Sequence, residues 1–258
     1  MKNLVFTVFI QSDACDETHG VFNEHQELYE YAIQKSKKYA DKCNADFIVV
    51  DDDSAFPGWS PIWQRFVMFT KFQEYDKVLY VDADLVITDI APNIFDIMDK
   101  WKEGEFFASL DYETIPARLY SKYFNAGIIA CKRSFLDQFT YDEVYDEMKK
   151  WKDTIVWDQE ALNALVKKKC DNYIDLGRCW NTMSSNIQTV TYGLHYINWH
   201  KRRFNKKLIE EYEMKMHGKE HHIDQKVNTF PIFWKRFDGN IISAEKAYDR
   251  IMNNMQIS

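Results

Sequence analysis

The fold of this chain is predicted from one stretch, Lys77-Val78-Leu79-Tyr80-Val81-Asp82-Ala83-Asp84-Leu85-Val86-Ile87. Val78 to Val81 is a short β-branched and aromatic run, which predicts a buried strand. Asp82 and Asp84 follow at its carboxyl end, and residues two apart in an extended chain point the same way. Open α/β sheets bind their ligands at this end of a central strand. Two neighbouring carboxylates suit Mg²⁺ or Mn²⁺, and such an ion suits a diphosphate ligand. The alternative interpretation is that the two aspartates belong to a solvated turn without a ligand.

The composition is that of a globular protein with a substantial core. The chain has 258 residues, of which 46% are hydrophobic and 16% aromatic. Its net charge of −7 disfavours nucleic-acid binding, because no general positive field attracts phosphate. The five cysteines are odd in number and none are spaced as CxxC, which disfavours a disulfide framework or a zinc site. We therefore expect a reducing compartment.

The apolar run near the start, Leu4 to Ile10, is too short for a signal peptide and is followed by polar residues, so it predicts a first strand. No later stretch is apolar over the length of a bilayer span. These features predict a soluble, cytoplasmic protein without a transmembrane segment. The sequence leaves open whether it forms a homodimer.

Strands and helices alternate in the first third of the chain, which predicts a parallel, Rossmann-like nucleotide-binding half. The predicted order is strand Leu4 to Ile10, helix Phe22 to Cys43, strand Phe47 to Val50, a helix around Trp63 to Thr70, and the strand Val78 to Val81.

The rest of the chain continues as a mixture of both element types. The predicted elements are helix Ile94 to Trp101, strands Phe106 to Leu110 and Phe124 to Cys131, helix Ser134 to Lys150 with Ser134 as its N-cap, a helix starting with Trp157 to Leu165, strands Tyr173 to Leu176 and Gly193 to Ile197, and helices Phe204 to Met216 and Ala244 to Met255.

Polar residues recur where these predicted strands end, as expected for a crevice at the carboxyl edge of a sheet. They are Asp82, Asp84, Asp111, Asn125 and His195. A histidine alone is more often a hydrogen-bonded core or surface residue than a ligand. His195 has a more informative context, because Lys201 follows six residues later and can place a cation on a phosphate. Imidazole beside two carboxylates is an acceptable ligand set for Mn²⁺.

Four motifs occur in an order that resembles the retaining glycosyltransferases of family eight, the group of glycogenin and bacterial galactosyltransferases. They are VDAD at 81–84, FNAG at 124–127, WDQEALN at 157–163 and HYINWHK at 195–201. The match covers about Lys2 to Arg202. The resemblance implies a single α/β domain of the GT-A fold, in which helices flank a mixed central sheet. Residues 1–203 would form this domain, and residues 204–258 a charged, mainly helical C-terminal extension packed on it.

The resemblance also implies a metal site and a donor site. In this family the two aspartates and the histidine, here Asp82, Asp84 and His195, bind Mn²⁺, with Mg²⁺ as the other candidate ion. The metal holds the diphosphate of a nucleotide sugar, usually UDP-linked, and stabilises the leaving group as a Lewis acid. Lys201 corresponds to the lysine on the phosphate, and Arg65 to an arginine near the donor.

Further positions are carried over from the same resemblance. Asp111 and Asn125 correspond to contacts with the transferred sugar, whereas Asp158 and Gln159 correspond to the pair beneath the anomeric carbon. Gln159 would stabilise the oxocarbenium-like centre or stand where a weak nucleophile could. Donor contacts are also assigned to Ile10, Gln11, Ala83 and Asn198, and Asn198 replaces the glycine of the family motif.

The implied function is a Mn²⁺-dependent, retaining transfer of a sugar to a hydroxyl acceptor, which is a glycan, a protein or a small molecule. One alternative is a non-catalytic protein that binds a nucleotide or glycan on the same fold. A second is a haloacid-dehalogenase-like phosphatase, whose DxDx(T/V) pattern the stretch Asp82 to Val86 also satisfies. That class places the motif on its first strand and later uses GDxxxD, but no glycine in this chain precedes an aspartate.

Overall fold

The computed structural model describes residues 1–10, 25–101, 105–110, 124–151, 158–170, 172–183, 190–217 and 229–231. The predicted helix from Ala244 to Met255 lies outside these ranges, as do Gln11 and Asp111.

A seven-stranded mixed sheet forms the centre of the fold, with strand order β10-β7-β5-β6-β3-β1-β2. Its strands are β1 (Asn3–Val8), β2 (Asp46–Val50), β3 (Lys77–Val81), β5 (Phe106–Leu110), β6 (Phe124–Lys132), β7 (Asn172–Asp175) and β10 (Thr229–Pro231). The strands β1, β2 and β3 run parallel, as expected of a nucleotide-binding half. The predicted mixed central sheet is confirmed.

The strand β6 runs antiparallel to both of its neighbours, β3 and β5. This direction corrects the expectation that Asn125 stands where a strand ends, because Asn125 is the second residue of β6. The beginning of an antiparallel strand lies at the same sheet edge as the carboxyl end of its neighbour. Asn125 therefore still faces the edge at which β3 ends.

A small three-stranded sheet, with order β4-β9-β8, lies beside that edge. Its strands are β4 (Leu85–Ile87), β8 (Thr182–Met183) and β9 (Gly193–His195). In the antiparallel pair of β4 and β9, Leu85 lies opposite His195. This pairing places the residue before β4, Asp84, next to the last residue of β9.

Seven α-helices within the described residues surround the sheets. They are α1 (Gln26–Lys42), α2 (Met68–Lys71), α3 (Ile94–Lys100), α4 (Arg133–Leu136), α5 (Tyr141–Trp151), α6 (Asp158–Lys167) and α7 (Lys206–Met216). Three 3₁₀ helices cover Pro61–Val67, Arg178–Trp180 and Asn198–Arg203. No helix in the described ranges combines the length and apolar character needed to cross a membrane.

The prediction of one helix from Ser134 to Lys150 is wrong, because α4 and α5 are separate. Lys132, not Ser134, is the residue that precedes α4. A new helix starts after Thr140, whose hydroxyl oxygen accepts from the Glu143 N–H at 3.3 Å. The Glu143 carboxylate accepts from the Thr140 N–H at 3.1 Å in return. This reciprocal capping box stabilises an independent helix start.

The central sheet is apolar on both faces, and alternate residues of each strand contribute to different sides. On one face, Phe6 and Tyr80 pack with aromatic residues of α2 and with α4, α5 and α6. On the other face, Val5 and Leu79 pack with α1 and α3. Helices therefore cover both faces, which leaves the strand ends as the accessible edge for a ligand.

The helix α7 packs against α1 and the small sheet. Ile209 is fully buried in a cluster with Tyr31 of α1 and Tyr196, which follows β9. Glu213 forms an ion pair with the buried Lys35, with 2.6 Å between Nζ and Oε2. Helix α7 lies in the predicted C-terminal extension, whose division from residues 1–203 stays a prediction.

Candidate metal and donor site

A tight turn, not the strand itself, presents the two aspartates of the central stretch. The strand β3 ends at Val81, and the Leu85 N–H donates to the carbonyl oxygen of Asp82 at 3.0 Å. The Asp82 N–H donates to the Gly127 carbonyl oxygen at 2.9 Å, which joins the start of the turn to β6. The turn thus holds both aspartates at the sheet edge through backbone hydrogen bonds.

His195 completes a three-residue cluster at this turn. Its Nε2 lies 3.1 Å from Oδ1 of Asp84 and 3.5 Å from Oδ2 of Asp82. One ligand atom from each of these three residues lies within 4.8 Å of the others. Two carboxylates and an imidazole at these separations suit a divalent ion such as Mn²⁺. The structure brings together the three predicted ligands, and their donor set fits the expected metal.

Two cations flank the cluster. The Arg65 guanidinium lies 3.1 Å from Oδ1 of Asp82 and 2.8 Å from Oδ2 of Asp158. The Lys201 ammonium lies 3.1 Å from Oδ2 of Asp84 and donates to the Tyr29 hydroxyl at 2.8 Å. These groups supply the local positive charge that an anionic ligand requires in a protein of net negative charge.

The charges of this cluster shift one another's pKa values. Burial alone would raise the pKa of both aspartates, but Arg65 beside Asp82 and Lys201 beside Asp84 outweigh it and lower both. Burial disfavours the charged form of His195, but the carboxylates outweigh it and raise the pKa of His195 to about 9. Both aspartates are therefore ionised at neutral pH and ready to bind a cation.

Hydrogen bonds on the far side of the ring orient His195. Its Nδ1 lies 2.9 Å from Oδ1 of Asn181, a buried residue that directly precedes β8. Asn181 Nδ2 donates to Oδ1 of Asn125 at 2.7 Å. The ring also lies against the backbone of Gly127, where an added Cβ would come within 2.4 Å of Cε1 of His195. Only glycine leaves room for the imidazole here.

The start of α6 joins the cluster through β6. Gln159 Oε1 accepts from the Ala126 N–H at 3.0 Å, while Arg65 donates to the Ala126 carbonyl oxygen at 3.1 Å. Burial raises the pKa of Asp158, and Arg65 opposes this rise. Asn163 adds a second link, because its amide exchanges hydrogen bonds with the backbone of Phe124. Helix α6 is thereby fixed relative to the turn.

The remaining predicted donor contacts are less fully described. Ile10 lies just beyond the carboxyl end of β1, and Ala83 lies inside the turn between the two aspartates. Asn198 begins the 3₁₀ helix that carries Lys201, but its side chain is outside the described part. Gln11 and Asp111 lie outside the described residues, so their roles stay predictions.

Sequence reasoning missed three residues that contact the cluster and one, Tyr29, that contacts the flanking Lys201. Tyr80 donates its hydroxyl hydrogen to Asp82, and Tyr29 accepts from Lys201. Asn181 and Gly127 contact the imidazole from the side opposite the aspartates. Gly127 lies inside the FNAG motif, and Asn181 follows the predicted strand Tyr173 to Leu176. The sequence shows where Gly127 and Asn181 lie relative to the predicted strands. It does not show that they contact His195, because these residues are distant in sequence and meet only in the folded protein.

Comparison with known proteins shows a likeness of fold. No protein-family model matches the chain, and no curated protein matches it by sequence. A glycosyltransferase involved in the glycosylation of the major capsid of PBCV-1 superposes with a TM-score of 0.56 and 12% identity, over 83% of this chain and 100% of that one. The chain has the GT-A fold.

Two further glycosyltransferase structures also superpose on this chain. The bifunctional glycosyltransferase WbbM has a TM-score of 0.54 and 15% identity, with 84% of this chain covering 50% of that one. The glycosyltransferase GlyE of Streptococcus pneumoniae TIGR4 has a TM-score of 0.53 and 17% identity, with 83% of this chain covering 60%. The likeness is to glycosyltransferases of this fold, and the Asp82, Asp84 and His195 cluster lies at the edge where β3 ends.

Proposed function

We propose that this chain is a Mn²⁺-dependent glycosyltransferase, which transfers a sugar from a UDP-linked donor to a hydroxyl acceptor with retention of anomeric configuration. The observation that carries the proposal is the cluster of Asp82, Asp84 and His195 beside Lys201, at the strand-end edge of a GT-A fold. A bound Mn²⁺ supplies Lewis-acid stabilisation of the charge that develops on the departing diphosphate.

The flanking cations support binding of a diphosphate at this cluster. Lys201 reaches the same carboxylate, Asp84, that we assign to the metal, so its ammonium lies beside the site that the phosphates would occupy. Arg65 is held by Asp82 and Asp158 and by the Ala126 carbonyl oxygen, which leaves it as a fixed charge near the donor. Preorganised charges of this kind stabilise a leaving group without costly rearrangement.

The position of Gln159 supports its proposed role beneath the anomeric carbon. Its side-chain oxygen accepts a hydrogen bond from the Ala126 N–H at 3.0 Å. The Ala126 contact fixes the orientation of the side-chain dipole. Its negative end can then stabilise positive charge at the anomeric carbon, while the donor stays bound on one face.

A donor panel tests this proposal. The protein is incubated with Mn²⁺ and UDP-, GDP-, TDP- or ADP-linked sugars, and free nucleotide is measured for wild type, Asp84→Asn and the exposed control Asp142→Asn. We expect UDP release by wild type and the control but not by Asp84→Asn, and proton NMR should show that the sugar first released keeps the donor's anomeric configuration. UDP binding without turnover of any donor would instead support the non-catalytic alternative.

A further inference from the structure

His195 can serve as a metal ligand only if one particular ring nitrogen carries its hydrogen. A neutral imidazole has one N–H donor and one lone-pair acceptor, and the hydrogen bonds around the ring decide which nitrogen is which. Here Nε2 faces Asp82 and Asp84, whereas Nδ1 faces Asn181. A metal bound between the aspartates requires the lone pair on Nε2, and therefore the hydrogen on Nδ1.

The direction of the hydrogen bonds on the far side can be deduced from a backbone group. The Gly127 N–H, which can only donate, lies 2.8 Å from Oδ1 of Asn125. The Asn125 atom at this position must accept, so it is the oxygen. The same oxygen lies 2.7 Å from the Asn181 amide, which must then donate through Nδ2. The Oδ1 atom of Asn181 therefore faces Nδ1 of His195, at 2.9 Å. An amide oxygen only accepts, so Nδ1 must carry the hydrogen.

We propose that Asn181 is a positioning residue that fixes His195 in the tautomer with hydrogen on Nδ1, and that the Gly127 N–H sets the direction of this relay through Asn125. The relay then keeps the lone pair of Nε2 aimed between Asp82 and Asp84. This inference rests on the proposed function, in that the group facing Nε2 is a divalent cation.

Burial and packing make the relay rigid. Asn181 and Asn125 are 5% and 8% exposed, and His195 is 1% exposed, so water has little access to compete for their hydrogen bonds. The close approach of the imidazole to Gly127 prevents the ring from moving toward β6. Hydrogen-bond partners on the outer side of a ligating histidine commonly change metal affinity 10–100-fold.

The relay also connects the predicted sugar contact, Asn125, with the predicted metal ligand, His195. Asn125 is proposed to contact the transferred sugar, and its oxygen is already engaged by Asn181 and Gly127. The Asn125 Nδ2 group faces the other way and can contact a sugar hydroxyl. The hydrogen bonds that orient His195 therefore also orient the Asn125 amide. The sugar contact and the metal ligand are thus held by one hydrogen-bonded series.

The test uses variants at Asn181 that differ in whether they can accept. Asn181→Leu removes the acceptor, whereas Asn181→Asp keeps an acceptor for Nδ1–H. Mn²⁺ binding is measured by titration calorimetry, and folding by far-UV circular dichroism without metal. We expect Asn181→Leu to weaken Mn²⁺ binding about 10–100-fold and Asn181→Asp to retain at least wild-type affinity. Equal affinity in wild type and a folded Asn181→Leu would overturn the inference.

A second measurement compares the metal-free wild type with Asn181→Leu. Nitrogen-15 NMR at about pH 10, above the pKa of about 9 for His195, reports which ring nitrogen carries the hydrogen. The carboxylates of Asp82 and Asp84 attract the hydrogen to Nε2, whereas Asn181 attracts it to Nδ1. We therefore expect a larger share of rings with the hydrogen on Nδ1 in wild type than in Asn181→Leu, and equal shares in the two proteins would contradict the relay. If wild type binds no Mn²⁺, the proposed function is contradicted. The NMR measurement of the His195 tautomer is made without metal, so it tests the role of Asn181 separately.

Discussion

The ammonium nitrogen of Lys201 lies 3.1 Å from Oδ2 of Asp84, one of the three candidate metal ligands. This contact gives Lys201 two opposite effects in the proposed reaction. Its charge repels a bare divalent cation from the carboxylate, but it attracts the phosphates of a donor. The Lys201 ammonium also donates a hydrogen bond to the Tyr29 hydroxyl at 2.8 Å, which holds the ammonium in place.

Substitution of Lys201 by methionine should therefore separate metal binding from nucleotide binding. We expect Mn²⁺ alone to bind more tightly, because a positive charge is removed. UDP in the presence of Mn²⁺ should bind about tenfold or more weakly, because a hydrogen bond to a charged group contributes about 1.5–3 kcal/mol. Titration calorimetry measures both, with Lys207→Met as control because that side chain is 83% exposed on α7. Unchanged UDP affinity would contradict the assignment of Lys201 to the phosphate.

Gly127→Ala tests the close packing of the imidazole on β6. The added Cβ would lie 2.4 Å from Cε1 of His195, so the ring must move. We expect a loss of about 1–3 kcal/mol in the free energy of unfolding, the usual cost of overpacking, together with weaker Mn²⁺ binding. In a His195→Ala background most of the stability cost should vanish, because the clashing ring is gone. A cost that stays the same in that background would show that the contact is not responsible.

The stability of the metal-free protein should depend on pH through His195. Its pKa is raised from an ordinary value near 6.5 to about 9, so the protonated form is favoured by folding. The resulting stabilisation is fully present below about pH 6.5 and is lost as the pH rises to about 9. Denaturant unfolding of wild type and His195→Gln across this range measures the difference, which should shrink with increasing pH.

Added Mn²⁺ should produce the opposite trend over the same pH range. The metal binds the neutral ring, so the proton must leave before His195 can act as a ligand. The stabilisation that Mn²⁺ gives wild type should therefore grow between about pH 6.5 and 9. A pH-independent metal effect in wild type would indicate that His195 is not a ligand.

The ion pair between Lys35 and Glu213 should be important for the attachment of α7. Both side chains are only 10% exposed, and the Glu213 carboxylate also accepts from the Asp89 N–H at 2.8 Å. Glu213→Ala leaves the Lys35 ammonium with Asp89 as its carboxylate partner, at 3.0 Å, and leaves the Asp89 N–H without its acceptor. We therefore expect a loss of about 1–3 kcal/mol in the free energy of unfolding. Lys35→Met with Glu213→Leu should recover much of this loss, since an apolar pair replaces the ion pair. If the double variant is as unstable as Glu213→Ala, packing and not charge is the cause.

Local patterns in the sequence were sufficient for most of the element order. The apolar run of β3, the helical spacing of α1 and the acidic start of α6 each determine their element through nearby residues. The single helix predicted from Ser134 was wrong because the capping box of Thr140 and Glu143 starts a separate helix. Apolar spacing alone did not reveal this boundary.

The candidate site was predictable in its three ligands and in the two cations beside them, Arg65 and Lys201. Asp82, Asp84 and His195 stand out by residue type and by position near strand ends, but the turn that joins the aspartates required the structure. The direction of β6 could not be read from its composition, because parallel and antiparallel strands can share the same apolar run. The role of Asn181 depends on its contacts with Asn125 and His195, which are distant in sequence and meet only in the folded chain.

The most direct test of the account is thermal unfolding with UDP, with and without Mn²⁺, for wild type and Asp84→Asn. A ligand present at about a hundred times its Kd stabilises the folded state by roughly 2.7 kcal/mol, which raises the Tm of a chain of this size by roughly 5–10 °C. We predict that UDP and Mn²⁺ together raise the Tm of wild type more than either alone, and that Asp84→Asn loses this joint effect. The absence of any joint effect in wild type, with UDP or with another nucleoside diphosphate, would contradict a metal-dependent donor site at Asp82, Asp84 and His195.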